Sequence, residues 1–369
     1  MKLRILFSLL FSFVAAFAAK KDALPLVDVF VAGQGYPFFR IPSLVTAKSG
    51  ALLAFAEGRT RLADQSGNDL VLKRSLDGGN TWGELQCIAE DGDHSLNNPT
   101  AIVLRDSGRV LLIYQRYAQG FGETKALPGY SGVGICRSFV IQSDDEGVTW
   151  SAPREITAGV KRPTEATSTA SGPGIGIQLR HGEHAGRVII PFNQGPAGKW
   201  QVYAAISDDE GGTWNYGVSA GEMKEGHANE VQMAELADGT IILNARNEGG
   251  APLRKTARSR DGGETWSALA EATNLPDPHC QGSLLQVTAA GQEALLFCNP
   301  AETSSRSGGK LRVSLDGGES WPKSKVIYPG SFAYSCLTPL GTDAVGCVFE
   351  RDGYKKITFT RVPFSVLGL

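Results

Sequence analysis

Short apolar or alternating runs broken by Gly, Asp or Asn follow one another along the whole chain, and no long stretch carries a helical 3.6-residue period. Residues 109–114, 186–191, 239–244 and 293–297 read as equivalent inner strands of successive units. Residues 200–207, 254–259 and 310–314 read as strands that lead into a turn. The pattern predicts an all-β chain built from repeated antiparallel units.

One turn signature punctuates the units. Ser75-Leu76-Asp77-Gly78-Gly79-Asn80-Thr81-Trp82 has the form Ser-x-Asp-x-Gly-x-(Thr/Ser)-Trp, and it recurs at residues 143–150, 207–214, 259–266 and 314–321. The starts are 68, 64, 52 and 55 residues apart, a near-constant period that signals an array of similar supersecondary units. An Asp that accepts local backbone N–H bonds, followed by Gly where φ is positive, closes a hairpin, and the Trp packs back onto a sheet. A turn repeated in every unit is a structural staple, because a unique site cannot recur five times. About 345 mature residues divided by a period near 58 give roughly six units, each long enough for a four-stranded propeller blade. Ring closure would pair the C-terminal strand, residues 357–362, with the N-terminal end, and a ligand site belongs where the loops converge on the axis.

Length alone would allow two domains, but the boxes run from residue 75 to 321 and leave room for one, residues 20–369. Residues 1–19 read as a signal peptide, with Lys2 and Arg4 before an apolar run over 5–17 and a small-x-small Ala16-Phe17-Ala18 end. Export to the periplasm, cell surface or medium is expected, without stable membrane insertion. Loss of Lys2 and Arg4 leaves 34 basic against 38 acidic residues, which gives no electrostatic ground for a nucleic-acid partner. Cys87, Cys136, Cys280, Cys298, Cys336 and Cys347 leave both bridges and buried thiols open. The Gly-rich His181-Gly182-Glu183-His184 turn is a poor metal site, so none is expected.

Chemistry enters through arginines in apolar settings. Arg40 stands in Phe38-Phe39-Arg40-Ile41-Pro42-Ser43, Arg246 follows an apolar strand in Leu243-Asn244-Ala245-Arg246-Asn247, and Arg306 ends a polar loop before the fifth box. Spread over separate units, they could meet only near the axis. With the Phe-Arg-Ile-Pro motif, the five boxes and the blocks below in the same order, nearly the whole mature chain resembles the bacterial exo-α-sialidases (neuraminidases) with Asp-box repeats. The resemblance implies a six-bladed β-propeller that removes terminal sialic acid with retention, needs no cofactor and takes sialylated glycans as its partners.

By that resemblance Arg40, Arg246 and Arg306 hold the sialic acid carboxylate, as planar, permanently charged guanidiniums can through forked bonds. Glu350, in Val348-Phe349-Glu350-Arg351, would brace Arg40. Tyr334, in Ser331-Phe332-Ala333-Tyr334-Ser335, would be the nucleophile, with Glu230, in Asn229-Glu230-Val231-Gln232, as its base. Asp64, in Ala63-Asp64-Gln65-Ser66, would be the general acid/base in preference to Asp69, which reads as a turn cap. Arg59, in Glu57-Gly58-Arg59, would be a further substrate contact. A neutral phenol suits a substrate whose anomeric carbon already bears a carboxylate that would repel a carboxylate nucleophile, and sialidases are exceptions to the two-carboxylate scheme of glycosidases. The Gly-rich block 170–179 is expected as a rim loop followed by a strand. A trans-sialidase and a non-catalytic glycan-binding Asp-box propeller stay open as alternatives.

Overall fold

The computed structural model describes residues 23–221 and 227–369; the expected leader over residues 1–19 lies outside them. β1 (Val27–Val31) precedes a first sheet of β2 (Phe38–Thr46), β3 (Leu52–Arg59), β4 (Asn68–Ser75) and β5 (Gln86–Ala89). The second holds β6 (Ser95–Val103), β7 (Val110–Tyr117), β8 (Arg137–Ser143) and β9 (Arg154–Glu155), and a short helix α1 (Thr157–Val160) follows. The third takes β10 (Thr169–Ser171), passes β11 (Gly174–Ile175) back to β6, and adds β12 (Ile177–Gln178), β13 (Val188–Gln194), β14 (Gln201–Ser207) and β15 (Asn215–Tyr216). The fourth is β16 (His227–Glu235), β17 (Ile241–Glu248), β18 (Leu253–Ser259) and β19 (Ala270–Pro276).

The last sheet has seven strands: β20 (Ser283–Ala289), β21 (Gln292–Pro300), β22 (Ser307–Ser314), β23 (Lys323–Leu340), β24 (Ala344–Arg351), β25 (Lys356–Pro363) and, on its far edge, β1. The 18-residue β23 turns from one group of four into the next, so this sheet is two such groups sharing a strand. The antiparallel pairing of β1 with β25, Val27 opposite Phe359 and Val31 opposite Lys356, joins the two ends of the chain.

Sheets touch one another through β2, β6, β10, β11, β16, β20 and β23, the strands nearest the axis. The four runs expected as inner strands therefore lie one place further out, as β7, β13, β17 and β21. They were the most conspicuous in the sequence because a second strand is covered on both faces by neighbouring sheets and can be apolar throughout. β3 and β13 are buried at every position, whereas the outer β19 is largely open to solvent. Block 170–179 also differs from its expectation. Residues 170–175 are wholly buried at the hub, where Gly174 O accepts Ser43 Oγ at 2.7 Å and Pro173 O accepts Gln232 Nε2 and Gln281 Nε2, each at 3.1 Å. A strand this short and Gly-rich looks like a loop until those partners on β2, on β16 and just before β20 are known.

Each box closes in the same way. Asp77 Oδ1 accepts Ser75 Oγ at 2.8 Å and Thr81 N at 2.9 Å, Asp77 Oδ2 accepts Thr81 Oγ1 at 2.6 Å, and Gly79 N reaches back to Ser75 Oγ at 2.8 Å. Trp82 meets Phe359 of β25 edge-on at 5.6 Å, and Trp150 meets Phe55 of β3 at 5.8 Å. The boxes thus pin each sheet to the one before it. Gly79, at φ 93°, lies so close to Phe359 that a Cβ there would fall 2.1 Å from the ring. Five of the cysteines are buried, Cys87 is exposed, and all six are free thiols.

Candidate active site

The starts of the axial strands gather one set of polar side chains at one end of the ring. Tyr334 on β23 is 5% exposed, and its phenol hydrogen-bonds to Glu230 Oε1 of β16. Arg246 Nη1, from β17, donates to Glu230 Oε2 at 2.9 Å and to Tyr334 Oη at 3.3 Å, while its Nη2 pairs with Glu248 at 3.0 Å. The Arg40 guanidinium lies 5.1 Å from the Tyr334 ring centre and that of Arg306 5.5 Å. The three arginines, separated by up to 266 residues (306 − 40), converge on one phenol.

Burial raises the Tyr334 phenol well above its ordinary range and Glu230 adds to the effect, against the pull of Arg246, Arg306 and Arg40. The hydroxyl therefore keeps its proton and donates it to Glu230. Burial works against the charge on Arg40, but the Glu350 carboxylate outweighs it and holds the guanidinium above its usual range.

Glu350 on β24 is fully buried and holds three groups: its Oε1 accepts Arg40 Nε at 2.7 Å and Ile41 N at 2.8 Å, and its Oε2 accepts Tyr334 N at 3.2 Å. It therefore fixes the first arginine and the phenol together. Ile41 sits at φ 59°, a left-handed conformation costly for a β-branched residue, beside a register shift between Arg40 and Ser43. Glu230 sits at φ 29° in the matching irregularity between Asn229 and Val231. In both strands the bulge re-aims one side chain towards the axis.

Asp64 projects from the segment between β3 and β4, with its side chain 64% exposed and 4.0 Å from Arg40. Asn68 and Asn97 hold its backbone carbonyl at 2.6 and 2.8 Å. Asp69 turns elsewhere, accepting the Tyr36 hydroxyl at 2.7 Å. Arg59, expected as a substrate contact, is 1% exposed and bonds to Glu57 at 2.7 Å, Leu62 O at 3.0 Å and Asp64 Oδ1 at 2.9 Å. It braces Asp64.

Glu57 and Tyr354 belong to the site without having been singled out in the sequence. The fully buried Glu57 also accepts Asn98 N at 2.7 Å, tying the Asp64 segment to β6; burial raises its carboxyl despite Arg59. Tyr354 stacks on Arg40 at 4.2 Å and accepts from Arg306 Nη1 at 3.1 Å, spacing the two guanidiniums. Glu57 stands within the Glu57-Gly58-Arg59 motif already of interest, where an acid near an arginine was the available signal, whereas Tyr354 lies just past the block around Glu350. A separate cleft of about 330 Å³ opens where the same axial strands end, lined by Thr46, Arg105, Glu235 and Thr338, and holds none of these groups.

The model of the BNR repeat-like domain matches residues 50–346. The chain is 36% identical over 338 residues to a sialidase of Micromonospora viridifaciens, covering 88% of this chain and 51% of that protein. It is 29% identical to a sialidase of Bacteroides fragilis, covering 85% and 60% respectively. It thus spans about half the length of these curated relatives. Among solved structures, the Hadza microbial sialidase Hz136 superposes with a TM-score of 0.84 at 29% identity, over 93% of this chain and 69% of that one. The Streptococcus pneumoniae NanB sialidase, at 20% identity and a TM-score of 0.82 over 93% and 71%, shares the propeller fold. By sequence and architecture alike, the chain belongs to the bacterial sialidase family with BNR repeats.

Proposed function

We propose that this protein is an exported exo-α-sialidase that hydrolyses terminal sialic acid from glycoconjugates with retention, through a covalent sialyl-tyrosine. The observation that carries the reading is the convergence of Arg40, Arg246 and Arg306 around a buried phenol already hydrogen-bonded to a carboxylate. An anionic sugar placed against the guanidiniums has its carboxylate forked by charge-assisted bonds, and its anomeric carbon over Tyr334. Glu230 takes the phenolic proton as Tyr334 Oη bonds to the anomeric carbon; Asp64 gives a proton to the departing glycosidic oxygen. Asp64, exposed at the mouth, is then free to take a proton from the water that cleaves the intermediate. Burial keeps the phenol neutral until attack, so the developing charge appears only where Arg246 can stabilise it.

Release of dye from a fluorogenic α-sialoside tests the reading. The wild type is expected to release it, Asp64→Ala to lose about 10²–10⁴-fold in rate, and Tyr334→Phe to lose most activity. Full activity in Tyr334→Phe would remove the proposed nucleophile.

A further inference from the structure

The turn from β19 into β20, residues 277–282, bonds to three parts of the site. His279 O accepts Arg306 Nη2 at 2.6 Å. Gln281 Oε1 accepts the backbone N–H of Ser335, next to Tyr334, at 3.0 Å. Asp277 Oδ2 accepts Asn247 N, next to Arg246, at 2.8 Å. Supports for Arg246, Arg306 and the phenol thus meet in one short segment, while Arg40 is held separately by Glu350.

A carboxylate shut off from water fixes this turn. Asp277 is fully buried, and so is its ion-pair partner Arg254 of β18, 3.1 Å away. Asp277 Oδ1 accepts Cys280 N at 2.9 Å, closing the turn around His279, which sits at φ 52°. Arg254 Nη1 also donates to Cys280 O at 2.6 Å and its Nε to Asn244 Oδ1 at 2.7 Å, so the pair is tied to β17 as well. Desolvation offsets most of the attraction within a buried ion pair, which makes such a pair a poor source of stability. What this one supplies is direction: a single carboxylate clamps the backbone beside Arg246 and, through Cys280, the carbonyl that faces Arg306.

We propose that Asp277, neutralised by Arg254, is a positioning residue that sets the spacing of Arg246 and Arg306 and so the grip on the substrate's carboxylate. The inference rests on the sialidase reading of the site. Forked bonds from separate guanidiniums to one carboxylate demand fixed donor directions. Arg306 takes its direction from His279 O and the Tyr354 hydroxyl, and the first of these shifts once Asp277 releases Cys280 N. Asn at this position keeps the shape, yet its amide NH2 must face N–H groups on one side or the other. Loss of a negative charge near the arginines would by itself strengthen their attraction for an anion. A weaker hold in that variant therefore reports geometry and not charge.

The test is calorimetric binding of the unsaturated analogue 2-deoxy-2,3-dehydro-N-acetylneuraminate by the full chain, with Asp277→Asn placed in the wild type, in Arg306→Lys and in Arg40→Lys, each shown to be folded by circular dichroism at the assay temperature. In the wild type Asp277→Asn is expected to weaken binding about fivefold to fiftyfold. In Arg306→Lys the same change should cost less than about twofold, because the residue it acts through is already altered, whereas in Arg40→Lys it should keep its full factor. In turnover of a fluorogenic α-sialoside, KM should rise by more than kcat falls. Unchanged or tighter binding by Asp277→Asn, or an equal factor in all three backgrounds, overturns the proposal. Should Asp277→Asn not fold, Arg254→Lys, which keeps the charge but cannot keep the bonds to both Cys280 O and Asn244, is read by the same cycle with the same outcomes. Absence of binding by the wild type instead sinks the sialidase reading, and the Asp277 proposal falls with it.

Discussion

Glu350 carries more of the site than its single charge implies, because one buried carboxylate orients Arg40, the left-handed Ile41 and the backbone of Tyr334. Truncation to Ala strands a buried guanidinium, so Glu350→Ala is expected to lose about 3–5 kcal/mol in urea unfolding, with Glu350→Gln losing less. A loss below about 1 kcal/mol would mean that the brace is dispensable. Arg40→Lys keeps the charge but not the fork, and a steady-state assay should show KM raised about tenfold to a hundredfold. At this scale the residue types were legible: arginines amid apolar flanks, and a tyrosine and glutamate within recognisable blocks. The bracing by Arg59 was not, because only the folded segment shows its bonds to Glu57 and Asp64.

Two kinds of element do the positioning: bulged axial strands that aim side chains inward, and box turns that clamp neighbouring sheets. The boxes were plain in the sequence as a strict local pattern, whereas the bulges at Arg40–Ser43 and Asn229–Val231 arise from pairing and leave no spacing to read. Hydrogen bonds from the Thr81 side chain and backbone, and the equivalent bonds from Thr149, hold Asp77 and Asp145 down at about 2. A carboxylate depressed in the folded state contributes stability above its ordinary value near 4, and that contribution fades as pH falls towards 2. Thermal melts of the wild type should therefore decline between pH 4 and 2. An Asp77→Asn/Asp145→Asn protein should be less stable at pH 6 and decline less steeply; an equally steep decline would assign the acid sensitivity elsewhere.

The ring as a whole brings together positions 40, 64, 230, 246, 306 and 334, and its closure by β1 against β25 keeps the outer edge of β25 from exposing unpaired backbone. Deletion of residues 356–369 spares every one of those positions, yet should yield aggregated, inactive protein by gel filtration and assay; a monomeric, active product would show that closure is unnecessary. The repeated, all-β architecture was legible because the same box turn recurs five times along the chain. The order of strands from the axis was not, since covered second strands are more apolar than the axial strands that carry the polar site. The central claim, that the converged arginines present an anionic sugar to Tyr334, meets its most direct test in trapping with a 3-fluorosialyl fluoride followed by peptide mass spectrometry. The account requires the adduct on Tyr334 and no adduct in Tyr334→Phe; label on Glu230, Asp64 or any other side chain contradicts it.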